Sequence, residues 1–191
     1  MSENIFLRDN QIKAKFIVGY CGNLGKTHPL EKIISIAEFL KSYEDIYFLV
    51  IGEGEKKSML KKLKKEKLLT NLEILDFQDT KVFSHVLAAF HIGVVTLEIN
   101  AKNLSVPSKT FDLMSAGKPI LGISAKDSEL SSLINKNNIG QNFEQSTDVK
   151  EISDFILKLK NEHKQYEALC INSKRNSHKF TYLNAKRLIL K

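Results

Sequence analysis

The residues Ile92-Gly-Val-Val-Thr-Leu97, a polar loop, Ser105-Val-Pro-Ser-Lys-Thr-Phe-Asp-Leu-Met-Ser-Ala-Gly-Lys-Pro119 and then Ile120-Leu-Gly-Ile123 read as strand, loop, helix and strand. Both flanking runs are apolar without alternation, the pattern of strands covered on two faces. The helix between them has a marked beginning and end. Ser105 suits the N-cap and Pro107 the first turn, where its missing N–H costs nothing, while Gly117 is a stop and Pro119 forbids continuation. Phe111, Leu113, Met114 and Ala116 make the helix apolar on more than one side, so it is expected to sink into a core. Lys109 lies in the first turn, where the helix dipole disfavours a cation, and Asp112 stands among the apolar residues. Free N–H groups, a lysine and a carboxylate at one end of a buried helix form a natural receptor for a phosphate that carries a sugar.

The same alternation runs outward in both directions. Phe16–Tyr20, Ile46–Ile51, Leu72–Leu75 and a short stretch near Ile139–Phe143 read as strands. Helical spacing covers Pro29–Tyr43, with Leu30, Ile33, Ile34, Ala37 and Leu40 on one face, and then Lys56–Leu69, Val82–Ala89, Ser128–Asn135 and Val149–Asn161. Strands alternating with helices predict an α/β fold: a Rossmann-like parallel sheet with helices on both faces. Residues 1–15 are polar and weakly patterned, a flexible lead or linker. Residues 16–161 form the sheet domain, and residues 162–191 a tail of one or two helices packed back across it. Ligands of such sheets bind beyond the carboxyl ends of the strands, which here lead into Cys21–Thr27, Gly52–Gly54, Phe77–Thr80, Glu98–Val106 and Ser124–Ser128.

Composition narrows the classes of function. A chain of 191 residues with 42% hydrophobic and 27% charged content has the makings of a globular domain. No apolar run approaches the roughly 18–20 residues that cross a bilayer. Cys21 and Cys170 lack metal-ligand spacing, and His28, His85, His91, His163 and His178 are scattered, so no metal and no zinc site are expected. The net charge of +7 suits nucleic acid, an anionic membrane surface or a phosphorylated ligand. Nucleic acid fits worst, because the chain has no tryptophan, no recognisable binding motif and no interleaving of basic with aromatic residues. The expected address is the cytoplasm.

Gly22-Asn23-Leu24-Gly25-Lys26-Thr27 invites comparison with an NTPase P-loop, but that motif needs a glycine five positions before its Gly-Lys-Thr, where this chain has Tyr20. The glycines still let backbone approach a ligand, although a tight turn alone would explain them. Gly52-Glu53-Gly54 and Glu129 are weak signals by themselves. Lys56, Lys57, Lys61, Lys62, Lys64, Lys65 and Lys67 crowd one helix whose Met59, Leu60, Leu63 and Leu68 form an apolar stripe. This reads as a solvated face, with peripheral contact to anionic lipid as the alternative. His28 lies in the first ligand-facing loop, within reach of a phosphate, or serves as an ordinary residue at a helix start.

Taken together, the strand followed by Gly-Asn-Leu-Gly, the Leu-Val-Ile-Gly-Glu-Gly run, Val-Pro-Ser-Lys-Thr-Phe-Asp-Leu-Met-Ser-Ala-Gly-Lys-Pro-Ile and Ser-Glu-Leu resemble the C-terminal, donor-binding half of a GT-B glycosyltransferase. The resembled group is the large retaining family, glycosyl transferases group 1 or family four, that builds bacterial surface polysaccharides. The resemblance implies that backbone N–H groups around Ser108, Lys109 and Thr110 hold the pyrophosphate of a nucleotide-sugar, a UDP-sugar above all. It places Asp112 on the ribose hydroxyls, Gly22 and Asn23 over the phosphates, and Gln78 where backbone contacts the base. Two departures stand out. The family often carries two glutamates eight positions apart; Asp112 matches the second, but Leu104 replaces the first. The usual arginine and lysine near the first loop are replaced by Asn23 and His28, so Lys109, or else Lys26, is expected to supply the positive charge that stabilises the leaving diphosphate.

A GT-B enzyme has two such domains with the reaction between them, and this chain has the length of one. The resemblance therefore implies a piece of a larger enzyme or one subunit of a split one. It is expected to bind nucleotide but to transfer sugar poorly or not at all without the acceptor half, which would engage a saccharide or lipid-linked acceptor. No cofactor is expected. The alternatives are a non-catalytic Rossmann-type nucleotide-binding or interaction module and a GT-B epimerase, which would need further acidic groups.

Overall fold

The computed structural model describes residues 4–13, 16–98 and 106–180. Six strands, β1 (Phe16–Cys21), β2 (Ile46–Ile51), β3 (Leu72–Leu75), β4 (Ile92–Thr96), β5 (Ile120–Ile123) and β6 (Gly140–Phe143), form one sheet in the order β3-β2-β1-β4-β5-β6. Every pairing is parallel, with Phe16 opposite Ile46, Phe48 opposite Leu72, Gly93 opposite Ile120 and Ile120 opposite Gly140. The order reverses direction between β1 and β4. That topological switch point is where strand-end loops diverge and leave a crevice.

The helices are α1 (Ile5–Asp9), α2 (Glu31–Phe39), α3 (Lys57–Glu66), α4 (Phe83–Ala89), α5 (Lys109–Ser115), α6 (Glu129–Asn137), α7 (Val149–Asn161) and α8 (His163–Ser177), followed by a 3-10 turn, His178–Phe180. They bury two clusters, one on each sheet face. Val18, Tyr20, Phe48 and Val50 meet Leu30, Ile34 and Ile156 on one side; Ile17, Leu49, Ile51 and Val95 meet Val86, Phe90 and Met114 on the other. The continuous apolar strands therefore serve both layers, as their pattern requires. β2, β3, β5 and α7 have the bounds expected from sequence.

Two expectations change. The lead expected to be flexible contains α1, capped by Asn4, whose side chain accepts from the Leu7 N–H while its amide donates to the His85 carbonyl; Phe6 is buried against α4. Leu68 leaves the apolar stripe of α3: it takes the left-handed conformation at φ 52° and is 81% exposed, and Leu69 is buried in its place. The basic face of α3 is largely paired. Lys57 binds Glu53 and Asp76, Lys64 binds Glu73, Lys67 binds Glu38 and Lys62 faces Glu66, while Lys56 binds Glu31. Such pairing fits a solvated surface and leaves little free charge for lipid. At the end of the described chain the Phe180 ring lies 4.8 Å from that of Phe111.

Candidate donor site

The carboxyl end of β1 with its loop, the loop after β3 and the starts of α4 and α5 converge on a cavity of about 410 Å³ lined by Cys21, Gly22, Asn23, His28, Phe77, Gln78, Phe83, Pro107, Ser108, Lys109 and Asp112. Its glycine loop is held from below. Gly22 N–H donates to the Ile51 carbonyl and Leu24 N–H to that of Glu53, so the loops after β1 and β2 are laced together. At Gly52 a Cβ would lie 1.9 Å from the Gly22 carbonyl oxygen, which only glycine permits. The Tyr20 hydroxyl donates to the Asn23 carbonyl at 2.7 Å and fixes the outer end of the loop.

Lys109 is the principal charge at the cavity floor. Its Nζ is buried, donates to no partner among the described residues, and rests 3.9 Å from the centroid of the Tyr20 ring. Burial pushes its pKa down to about 8, with Cys21 acting in the opposite direction. An ammonium so placed keeps its charge near neutrality without a counter-ion, an arrangement that costs free energy until an anion arrives. One turn on, the Asp112 carboxylate lines the same cavity and makes no hydrogen bond or ion pair to a described residue; partial burial raises its pKa. α5 starts one turn later than its proline implied. Thr110 N–H donates to the Pro107 carbonyl and Phe111 N–H to Ser108, closing a tight first turn.

The structure thus brings Gly22, Asn23, Gln78, Ser108, Lys109 and Asp112 to one cavity. Two expected residues do not join them. Lys26 is exposed and paired with Glu55 at 2.8 Å, away from the lining. Thr110 is fully buried and its N–H is already used, so at this end the N–H groups of Ser108 and Lys109 are those without a partner among the described residues. The Gln78 side chain turns back onto the Asp76 carbonyl at 2.9 Å. Ser105 and Leu104, the expected cap and the replaced acid, lie outside the described residues. Sequence reasoning placed Phe77 in a strand-end loop but gave neither it nor Phe83 a role, and both wall the cavity. They stand on a loop and a helix far in sequence from the phosphate motifs, and Phe77 is 53% exposed at its mouth. Among the described residues no cluster of His, Cys, Asp or Glu has the arrangement of a metal site.

Residues 2–176 match the sequence pattern of glycosyl transferases group 1. The chain belongs to that family. Among curated proteins, Probable glycosyltransferase WbjE of Pseudomonas aeruginosa is 32% identical over 137 residues, which is 72% of this group 1 chain and 34% of WbjE. The chain spans about a third or less of the curated relatives it matches. Among solved structures, the C-terminal domain of the group 1 protein LpcC from Francisella tularensis superimposes with a TM-score of 0.75 at 19% identity, covering 95% of this chain and 94% of that domain. Anabaena HepE, solved in complex with UDP and glucose, gives 0.75 at 13% identity over 91% of this chain and 46% of its own. The group 1 chain therefore has the fold of the C-terminal domain of a GT-B glycosyltransferase.

Proposed function

We propose that this chain is the donor-binding half of a glycosyltransferase of bacterial surface-polysaccharide synthesis, and that its cavity receives a nucleotide-sugar, in the first instance a UDP-sugar. The observation that carries the reading is the buried, unpartnered ammonium of Lys109 at a cavity that also holds the glycine loop, the free start of α5 and the Asp112 carboxylate. A diphosphate would give Lys109 its counter-charge and accept from the Ser108 and Lys109 N–H groups. Asp112 would then meet the ribose hydroxyls, and the nucleobase would lie toward Gln78 and Phe77. HepE, in complex with UDP and glucose, supports uridine as the first choice.

In the reaction, the bond between the anomeric carbon and the diphosphate oxygen breaks as the sugar passes to an acceptor hydroxyl. Charge grows on the departing diphosphate, and Lys109 with the two N–H groups stabilises it where it forms. The chemistry this chain supplies is that stabilisation together with positioning, and neither step calls for a metal or cofactor. A saccharide or lipid-linked acceptor would be held by an N-terminal half beyond this chain, so the chain alone binds donor but turns it over poorly. Its place of action is the cytoplasm, the compartment of the nucleotide-sugar.

Calorimetric titration of the chain with UDP, ADP, GDP and a set of UDP-sugars tests the reading. Saturable binding, with UDP and its sugars preferred, is the expected result. Absence of binding by every nucleoside diphosphate would contradict it.

A further inference from the structure

We propose that the amino end of the sheet carries a second ligand site, for an acidic sugar: a saccharide unit that bears a carboxylate or a phosphate. The inference is independent of the donor reading above and concerns the opposite end of the molecule. Lys13 precedes β1, Lys41 and Glu44 lie between α2 and β2, Tyr47 stands in β2, and Thr70 and Asn71 precede β3. Because β3, β2 and β1 are parallel neighbours, their amino ends gather these side chains around one cavity of about 350 Å³. Small-molecule sites span roughly 300–1,000 Å³, so the space suits a sugar.

The state of its polar groups sets this cavity apart. Asn71 is its buried residue and forms the floor, Tyr47 is half-buried, and the rest are exposed. The Asn71 amide has a fixed sense, since Nδ2 donates to the Ala37 carbonyl at 2.9 Å. That leaves Oδ1 buried with no donor among the described residues. A buried acceptor in that state costs free energy until a donor reaches it. The side chains of Lys13, Lys41, Glu44 and Thr70 and the Tyr47 hydroxyl likewise make no hydrogen bond or ion pair to a described residue. Charges bordering the cavity are already spent: Lys67 on Glu38 at 2.7 Å, Lys64 on Glu73 at 2.9 Å and Lys160 on Asp45 at 2.7 Å.

The mixture of groups selects the ligand. The ammonium groups of Lys13 and Lys41 only donate, the Glu44 carboxylate and Asn71 Oδ1 only accept, and the hydroxyls of Tyr47 and Thr70 do either. A bare inorganic anion would satisfy the lysines, leave Asn71 Oδ1 without a donor and lie against the charge of Glu44. A neutral sugar would give Oδ1 and Glu44 their hydroxyl donors and leave both ammonium groups without a counter-charge. An acidic sugar does both at once, with its acid group toward Lys13 and Lys41 and its hydroxyls toward Asn71 and Glu44. The Tyr47 ring supplies an apolar wall for the carbon face of the sugar.

The test follows the backbone amide resonances of the isotope-labelled chain during titration with glucuronate and with glucose 6-phosphate. Glucose, acetate and inorganic phosphate serve as controls for hydroxyls alone and charge alone. The expected result is saturable movement of the Tyr47, Thr70 and Asn71 amides with an acidic sugar, at an affinity at least roughly fivefold above every control, the stronger of the two sugars naming the acid group. Lys41→Glu, at an exposed and unpaired position, should abolish this movement and leave UDP binding unchanged. Asn71→Ala should weaken the acidic sugar and leave the response to inorganic phosphate as it was; should that variant fail to fold, Lys41→Glu carries the test. Acetate or phosphate matching the acidic sugars would show a general cationic surface and overturn the inference, as would glucose matching them or no movement at these amides. A chain that binds an acidic sugar here but no nucleotide would overturn the donor reading alone.

Discussion

The ammonium of Lys109 occupies the space that a side chain at Gly22 would fill. A Cβ built on Gly22 would lie 2.4 Å from Lys109 Nζ and 2.8 Å from its Cε, and the Gly22 backbone has φ 151°. The glycine loop and the start of α5 are thus fitted to each other through one side chain. Gly22→Ala must strain the loop and displace the lysine, at a cost of about 1–3 kcal/mol in stability. It should also weaken UDP binding by roughly tenfold or more, the loss of a charge-assisted contact. Thermal melts and calorimetry on the same protein check both; a variant that melts and binds like the parent would show that the fit is incidental.

Lys109→Met separates stability from binding. The folded-state pKa of about 8 lies below the ordinary lysine value of 10.5. Between those values the unfolded chain binds more protons than the folded one, so the parent gains stability as pH rises from about 8 to 10.5, and below pH 8 carries the full cost of the buried charge. Methionine fills the space without that cost and should raise stability at pH 7 by about 1–3 kcal/mol while removing the rise above pH 8. UDP affinity should fall by roughly 1.5–3 kcal/mol. Denaturant titration at pH 7 and pH 9.5 reads the first effect, calorimetry the second.

Asp112 is assigned to the nucleoside rather than to the phosphates. Asp112→Asn should therefore weaken UDP and leave inorganic pyrophosphate binding nearly unchanged, with a loss for UDP of about 1.5–3 kcal/mol. Equal losses for both ligands would move the carboxylate's role to the diphosphate.

His91 gives the fold an acid limit. Its Nδ1 accepts the Ile17 N–H at 3.0 Å, standing in for a carbonyl at the end of the β1–β4 pairing, and burial with nearby Lys118 drives its pKa down to about 4. The folded value lies below the unfolded 6.5, so the unfolded chain binds more protons between them. Stability should fall as pH drops from about 6.5 to 4, by up to about 2–3 kcal/mol. Melting curves of the parent and of His91→Gln across that range should diverge, with the variant the flatter.

The sheet could be read from the sequence because its central strands are unbroken apolar runs and the intervening helices have a clear face; Ile46–Ile51 and Ile120–Ile123 left little choice, while β3 and β6, which carry Glu73, Gln141 and Asn142, were legible mainly from their place in the alternation. α1 could not, since five residues with one buried side chain, Phe6, carry no period. Lys109 and Asp112 were legible because each violates its surroundings, a cation at a helix start and a carboxylate among apolar residues. Lys26 misled for the converse reason: its place in a glycine loop looked meaningful, and its partner Glu55 lies in a later loop that spacing does not reveal. The contact of His28 Nδ1 with Thr96 Oγ1 joins the loop after β1 to the end of β4, which are adjacent only after folding.

The most direct measurement is a crystal structure of the chain soaked with UDP. The account predicts the diphosphate against Ser108, with Lys109 Nζ turned from the Tyr20 ring to a phosphate oxygen, and the ribose hydroxyls about 2.6–3.0 Å from the Asp112 carboxylate. A nucleotide seated elsewhere, such as the neighbouring groove lined by Leu87, Ala88, Ser115 and Lys118, with Lys109 still over Tyr20, would contradict it.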